Sequence, residues 1–141
     1  MSDTTPVAPH DDDASGEQSA PPPLQFPTLE HFVTEFIAVI YCRPTGGPST
    51  TWCPRWWCHD EAVFRLTALW QAWESGRLTD GPAAAAKWLT YYGDPIMRVL
   101  LNSEGAFKGC SPERGHRSER PQPEGALPVE RAPEGLLTPR E

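Results

Sequence analysis

The sequence predicts a mainly α fold: a small domain of three to four short helices with a Trp-rich core and irregular loops. A disordered N-terminal arm and an extended C-terminal tail flank it. Three observations carry this. Six Trp fall within 141 residues, and disordered chains are poor in aromatics because they have no core to hold them. The 17 Pro and 11 Gly require a good share of turn, extended chain or disorder. Apolar residues recur at helical spacing in several stretches, and none alternates convincingly as a strand does. The length suits one domain.

Charge divides the chain in the same way. Residues 1–26 hold five acids and no Lys or Arg, residues 27–110 hold seven bases and eight acids, and residues 111–141 hold five Arg and six Glu. The net charge of −7 is therefore mostly a property of the N-terminus. This argues against the whole chain being a phosphate-binding surface but allows a local basic patch. The expected organisation is an acidic, Pro-rich arm over 1–27, a helical domain over 28–116 and a Pro/Glu/Arg-rich tail over 117–141. In the arm, Asp11-Asp12-Asp13 repel one another and Pro21-Pro22-Pro23 favours polyproline II.

The first helix is expected from Thr28, a capping residue, with Glu30 in the first turn, where the helix dipole favours an acid. Phe32, Val33, Phe36, Ile37 and Ile40 form its apolar face, Cys42 continues that face into the core, and Pro44 ends the helix. Residues 44–51, with Gly46-Gly47, read as a loop. Pro54 and the aromatic cluster make residues 52–59 irregular and well packed, with Trp52, Trp56 and Trp57 in the core. A second helix is expected from Asp60 to Ser75, stopped by Gly76. Val63, Leu66, Trp70 and Trp73 are its buried stripe, and Glu61–Arg65 an outer i,i+4 pair. Pro82 opens a third helix that Gly93 ends, with Trp88, Leu89 and Tyr92 inward. Asp94-Pro95 starts a fourth through Leu101. After Cys110 the chain reads as extended.

No run of 18 apolar residues exists, so no membrane span is expected. The polar, acidic start lacks the features of a signal peptide. A cytoplasmic location follows as the expectation, and there the four Cys are thiols or metal ligands in preference to disulfides.

The sharpest chemical signal is a pair of C-x5-H spacings: Cys53 with His59, and Cys110 with His116. Two thiolates and two imidazoles are a donor set that tetrahedral Zn²⁺ prefers. On a regular helix six positions place two side chains about 240° apart. Pro54 breaks one segment, and Pro112 with Gly115 the other, so both can curl as loops around an ion. A structural zinc adds on the order of 10 kcal/mol to the stability of a small domain. The plainer alternative makes Cys53 a small core residue and His116 a solvated tail residue. Cys58, beside His59, competes with Cys53 as a ligand.

Two weaker signals stand beside it. His59-Asp60-Glu61 matches the H-x-E of zinc deaminases, in which Glu shuttles protons, but the companion P-C-x-x-C is absent. Lys108, Arg114, Arg117 and Arg120 cluster around the second C-x5-H and could touch a phosphate backbone, but the interleaved Glu113 and Glu119 favour a plain solvated surface. No G-x-S-x-G and no phosphate-binding loop appear.

The run W-C-P-R-W-W-C-H-D-E-A-V-F-R-L-T-A-L-W-Q-A-W-E, from Trp52 to Glu74, resembles an actinobacterial family known as domain of unknown function 4913. Asp94-Pro95 through Leu101, Phe107-Lys108-Gly109-Cys110, Gly115-His116 and the closing Pro133 to Leu137 fit the same family. The resemblance covers roughly residues 28 to 137. It implies a small protein carried on chromosomes, plasmids and integrated elements, and no particular activity. The family pattern includes the positions of Cys53, His59, Cys110 and His116, which strengthens them as metal ligands. Members usually carry a basic residue at position 58, which weakens Cys58. The expectation is thus a non-enzymatic accessory module, zinc-stabilised, that binds a protein or nucleic acid in mobile-element biology. The alternatives are a small zinc hydrolase or deaminase-like enzyme using His59 and Glu61, and a metal-free protein-interaction domain.

Overall fold

The computed structural model describes residues 4–6, 20–117 and 126–139. Asp11-Asp12-Asp13, Glu119 and Arg120 lie outside the described residues. Within them the chain forms helices and no strand, with two isolated β-bridges. Residues 126–139 are exposed and end in a turn.

Helix α1 starts as expected: Thr28 is extended, and its side chain accepts from the His31 backbone N–H at 3.2 Å. The helix runs through an α turn (Leu29–Phe32), a π turn (Val33–Ile37) and a last α turn (Ala38–Ile40). The π turn, in which Ala38 N–H reaches the Val33 carbonyl, inserts one residue and shifts the inward face by one position. Phe32, Val33 and Ile37 are buried as expected, but Ile40 turns outward and Tyr41 takes its place in the core. Cys42, expected in the core, is exposed for the same reason.

A 3₁₀ turn, Trp56–Cys58, leads through His59 into helix α2, Asp60–Thr79. Asp60 is the first helical residue and His59 occupies the cap position. Gly76 does not stop the helix, which continues to Thr79; its missing Cβ leaves room for the Asp80 carboxylate, 3.0 Å from where that atom would stand. The Glu61–Arg65 pair forms at 3.1 Å. The fully buried face is Ala62, Leu66 and Leu69, whereas Val63, Trp70 and Trp73 are only partly covered. Helix α2 packs against both α1 and α3, so it needs a broader inward face than one stripe supplies.

Helix α3 joins the two segments expected as separate helices. It passes through a 3₁₀ turn (Gly81–Ala83), an α turn (Ala84–Trp88), a π turn (Leu89–Gly93) and an α segment (Asp94–Leu100). Gly93 keeps right-handed helical angles, so it does not end the helix. It is required by packing: a Cβ there would meet the Trp88 ring at 2.6 Å and the Tyr41 hydroxyl at 2.7 Å. The wider π turn precedes Pro95, which has no N–H to give. Trp88 is buried as expected and Tyr92 is exposed. Tyr41, after the end of α1, donates to Asp94 Oδ1 in α3 at 2.8 Å. Burial, with the Asp94 carboxylate adding to it, pushes the Tyr41 ionisation well above its ordinary value.

Phe26, which the sequence places in the arm, belongs to the core: it stacks edge-on against Phe32 at 5.5 Å and is nearly fully buried. The buried Glu74 carboxylate holds it there, accepting from Phe26 N–H at 2.8 Å, Gln25 N–H at 3.0 Å and Arg77 Nε at 2.9 Å. Trp70 Nε1–H donates to the Phe26 carbonyl and Trp73 Nε1–H to the Gln25 side chain, both at 3.0 Å. Burial alone would raise the Glu74 carboxyl; the two backbone N–H groups and Arg77 outweigh it and hold the carboxyl below its ordinary value.

Candidate metal centre

The two C-x5-H segments meet at one end of the domain. The first is placed by the loop before it, where Thr51 N–H donates to the Leu101 carbonyl at 2.8 Å and Thr50 bridges Asn102. These bonds anchor residues 50–51 to the end of α3. Pro54-Arg55 then turns the chain, and the 3₁₀ turn brings His59 back towards Cys53. The turn closes with Cys58 N–H to the Arg55 carbonyl (2.9 Å) and His59 N–H to the Trp56 carbonyl (3.0 Å). The second segment follows α3 through Phe107, fully buried between Trp52 (5.1 Å) and His59 (5.0 Å). Ser111 and Gly115 exchange backbone hydrogen bonds at 2.7 and 3.3 Å, and Arg114 N–H caps the Ser111 hydroxyl at 2.8 Å. Gly115 has φ +75°, a conformation that glycine adopts without a Cβ penalty. That tight turn returns His116 to Cys110.

One donor atom from each of Cys53, His59, Cys110 and His116 lies within 4.8 Å of the other three. The separations include Cys53 Sγ to His116 Nδ1 at 3.4 Å, Cys110 Sγ to His59 Nε2 at 3.6 Å and Cys110 Sγ to His116 Nδ1 at 3.9 Å. Both Cys are buried and both His half-buried, and the two imidazoles cross edge to face at 4.8 Å. These four side chains form a cluster able to hold a metal ion. Cys58 is half-buried and stands outside it.

Backbone N–H groups are aimed at both sulfurs: Arg117 N–H donates to Cys110 Sγ at 3.3 Å, and Arg55 N–H to the Cys53 thiol. Such donors favour a thiolate. Without a cation, burial pushes the Cys53 thiol up to about 11, with the Cys110 and Cys58 thiols adding and the Arg55 N–H opposing. The Cys110 thiol also donates to the Arg117 carbonyl at 3.2 Å.

Glu61, the candidate proton shuttle, is bound to Arg65 on the outer face of α2 and lies outside the cluster. Cavities open elsewhere, between α1 and α3 and between α2 and α3, and their walls include neither His59 nor Glu61. Of the expected basic patch, Lys108 pairs with Glu104 at 2.8 Å, while Arg114 and Arg117 are exposed. Trp57, expected in the core, is more than half exposed. The sequence carried a signal for that: Trp56 and Trp57 are adjacent, and one short 3₁₀ turn cannot direct both inward.

No curated protein and no solved structure matches this chain. A family profile described as Domain of unknown function (DUF4913) matches residues 26–132, which span all three helices and all four clustered Cys and His residues. On that match, over most of its length, the chain belongs to the DUF4913 family.

Proposed function

We propose that Cys53, His59, Cys110 and His116 hold one Zn²⁺ as a closed structural centre, and that the chain is a non-enzymatic interaction module. The observation that carries this is the donor geometry. Tetrahedral zinc with bonds of about 2.3 Å to sulfur and about 2.0–2.1 Å to nitrogen has sulfur–nitrogen edges of about 3.5 Å. Contacts of 3.4, 3.6 and 3.9 Å need little adjustment to meet it. The ion would supply cross-linking, fastening the loop before α2 to the segment after α3. Four protein donors leave no position for a reacting water. The engagement of Glu61 with Arg65 disfavours the deaminase-like alternative.

The setting we infer is the cytoplasm of an actinobacterium, on a plasmid or integrated element, with a protein or nucleic acid as partner. The family resemblance supports that setting. Elemental analysis of purified protein tests the centre: one zinc per chain is expected, with loss in both Cys53→Ser and His116→Ala. A wild-type protein without zinc, or zinc retained by both variants, overturns it.

A further inference from the structure

Among the described residues several cations of the domain sit beside no carboxylate; Arg43 and Arg98 lie elsewhere, and three others lie around the Cys/His cluster. Arg65, Arg77, Lys87 and Lys108 each sit beside a carboxylate. Arg55, Arg114 and Arg117 have no carboxylate partner among the described residues. All three lie in or next to the two ligand segments, which the cluster holds against each other. Within the first segment Trp57 is 57% exposed, and the Arg55 guanidinium lies 5.1 Å above its ring. The acids nearest in sequence are Asp60, Glu113 and Glu119; of these Asp60 and Glu113 are exposed, and Glu119 lies outside the described residues.

We propose that this patch binds single-stranded nucleic acid: a base stacks on Trp57, and Arg55, Arg114 and Arg117 contact the flanking phosphates. An exposed indole carrying a guanidinium is a stacking platform that accepts any base, because every base has a π face. An unpaired base is needed, since in a duplex those faces are covered by neighbours. A duplex-reading helix finds no counterpart here. The outer face of α2 presents Phe64, Ala68, Gln71 and Ser75, and its cations Arg65 and Arg77 are paired. The two segments that meet at the Cys/His cluster carry the indole and the three cations.

The inference rests on the proposed zinc centre in one respect: the ion would keep the two loops together. Zinc content is therefore measured on the same samples. Fluorescence anisotropy of labelled dT20 and rU20 is recorded against the zinc-loaded full chain at low salt. Trp57→Ala is expected to weaken binding on the order of tenfold, and Trp57→Phe to retain most of it. Arg114→Gln with Arg117→Gln is expected to lower the log–log salt slope by about 1.4, at about 0.7 per single-strand phosphate contact. The ratio of dT20 to rU20 affinity tells DNA from RNA. A zinc-loaded protein that binds neither strand, or a Trp57→Ala protein that binds as well as wild type, overturns the inference and leaves the zinc centre standing. A wild type without zinc overturns the zinc centre whatever it binds. If Trp57→Ala also loses zinc, the double Arg variant decides: an unchanged slope overturns the inference.

Discussion

At the scale of single residues, Glu74 and Gly93 do work that their types do not announce. Glu74 sits at an outer-looking position of α2, yet it is buried because two backbone N–H groups and Arg77 satisfy it. Glu74→Gln should cost about 1–3 kcal/mol, since it weakens charge-assisted bonds in a buried setting; urea unfolding at neutral pH measures this. The sign with pH follows from its lowered carboxyl. The stabilisation is fully present above the ordinary value of 4.5 and is lost as pH falls through the folded-state value below it. The Glu74→Gln protein should therefore show a shallower loss of stability than wild type on acidification below 4.5. Gly93→Ala should cost about 1–3 kcal/mol by overpacking, because the new methyl meets Trp88 and Tyr41 below van der Waals distance. A lower melting temperature with an unchanged far-ultraviolet helix signal is the expected readout.

At the scale of elements, the starts of α1, α2 and α3 are legible in the sequence, whereas Asp94-Pro95 reads as a start but lies inside the continuous α3, and helix interiors are not legible. Thr28 with Glu30 marks the beginning of α1 through capping and the dipole, both local effects. The π turns have no such local mark. They arise where two helices must bring Tyr41, Trp88 and Gly93 together, so they depend on residues about 50 positions apart. That is why Cys42 and Ile40 were expected inside and Tyr41 was not. Gly76 and Gly93 read as helix stops by type, although only a left-handed angle or a real change of direction makes glycine a stop. Gly115 is where the angle does matter. Gly115→Ala has open space around the new methyl, so its cost is backbone strain alone, about 1–2 kcal/mol. It should reduce metal affinity by loosening the return of His116 to Cys110. Competition with a chromogenic chelator measures that, and Gly46→Ala, in open space without a left-handed angle, should leave affinity unchanged.

At the scale of the whole molecule, the Cys/His cluster fastens two segments more than 50 residues apart. Removing the proposed ion should act on the entire domain, because binding a metal in the folded state only is folding free energy. Treatment with a strong chelator is expected to lower the melting temperature, with readdition of Zn²⁺ restoring it. A melting temperature that chelation leaves unchanged would count against the proposed centre. Binding also displaces thiol protons, including one from a Cys53 thiol that burial holds up to about 11. Zinc affinity should therefore fall as pH falls, and proton release into weak buffer should accompany loading.

The amino-acid sequence alone determined what depends on composition and short range: a helical domain around tryptophans, where its helices begin, and four side chains of the right chemistry in two matched spacings. Residues close in sequence sense one another whatever the rest of the chain does, so those features could be read directly. Only the tertiary structure decided that Cys53, His59, Cys110 and His116 converge, that Phe26 is core, that Trp57 faces outward and that two helical stretches are one. Each of these turns on packing between distant segments, where fit within a dense interior selects one arrangement among many that the local chemistry permits.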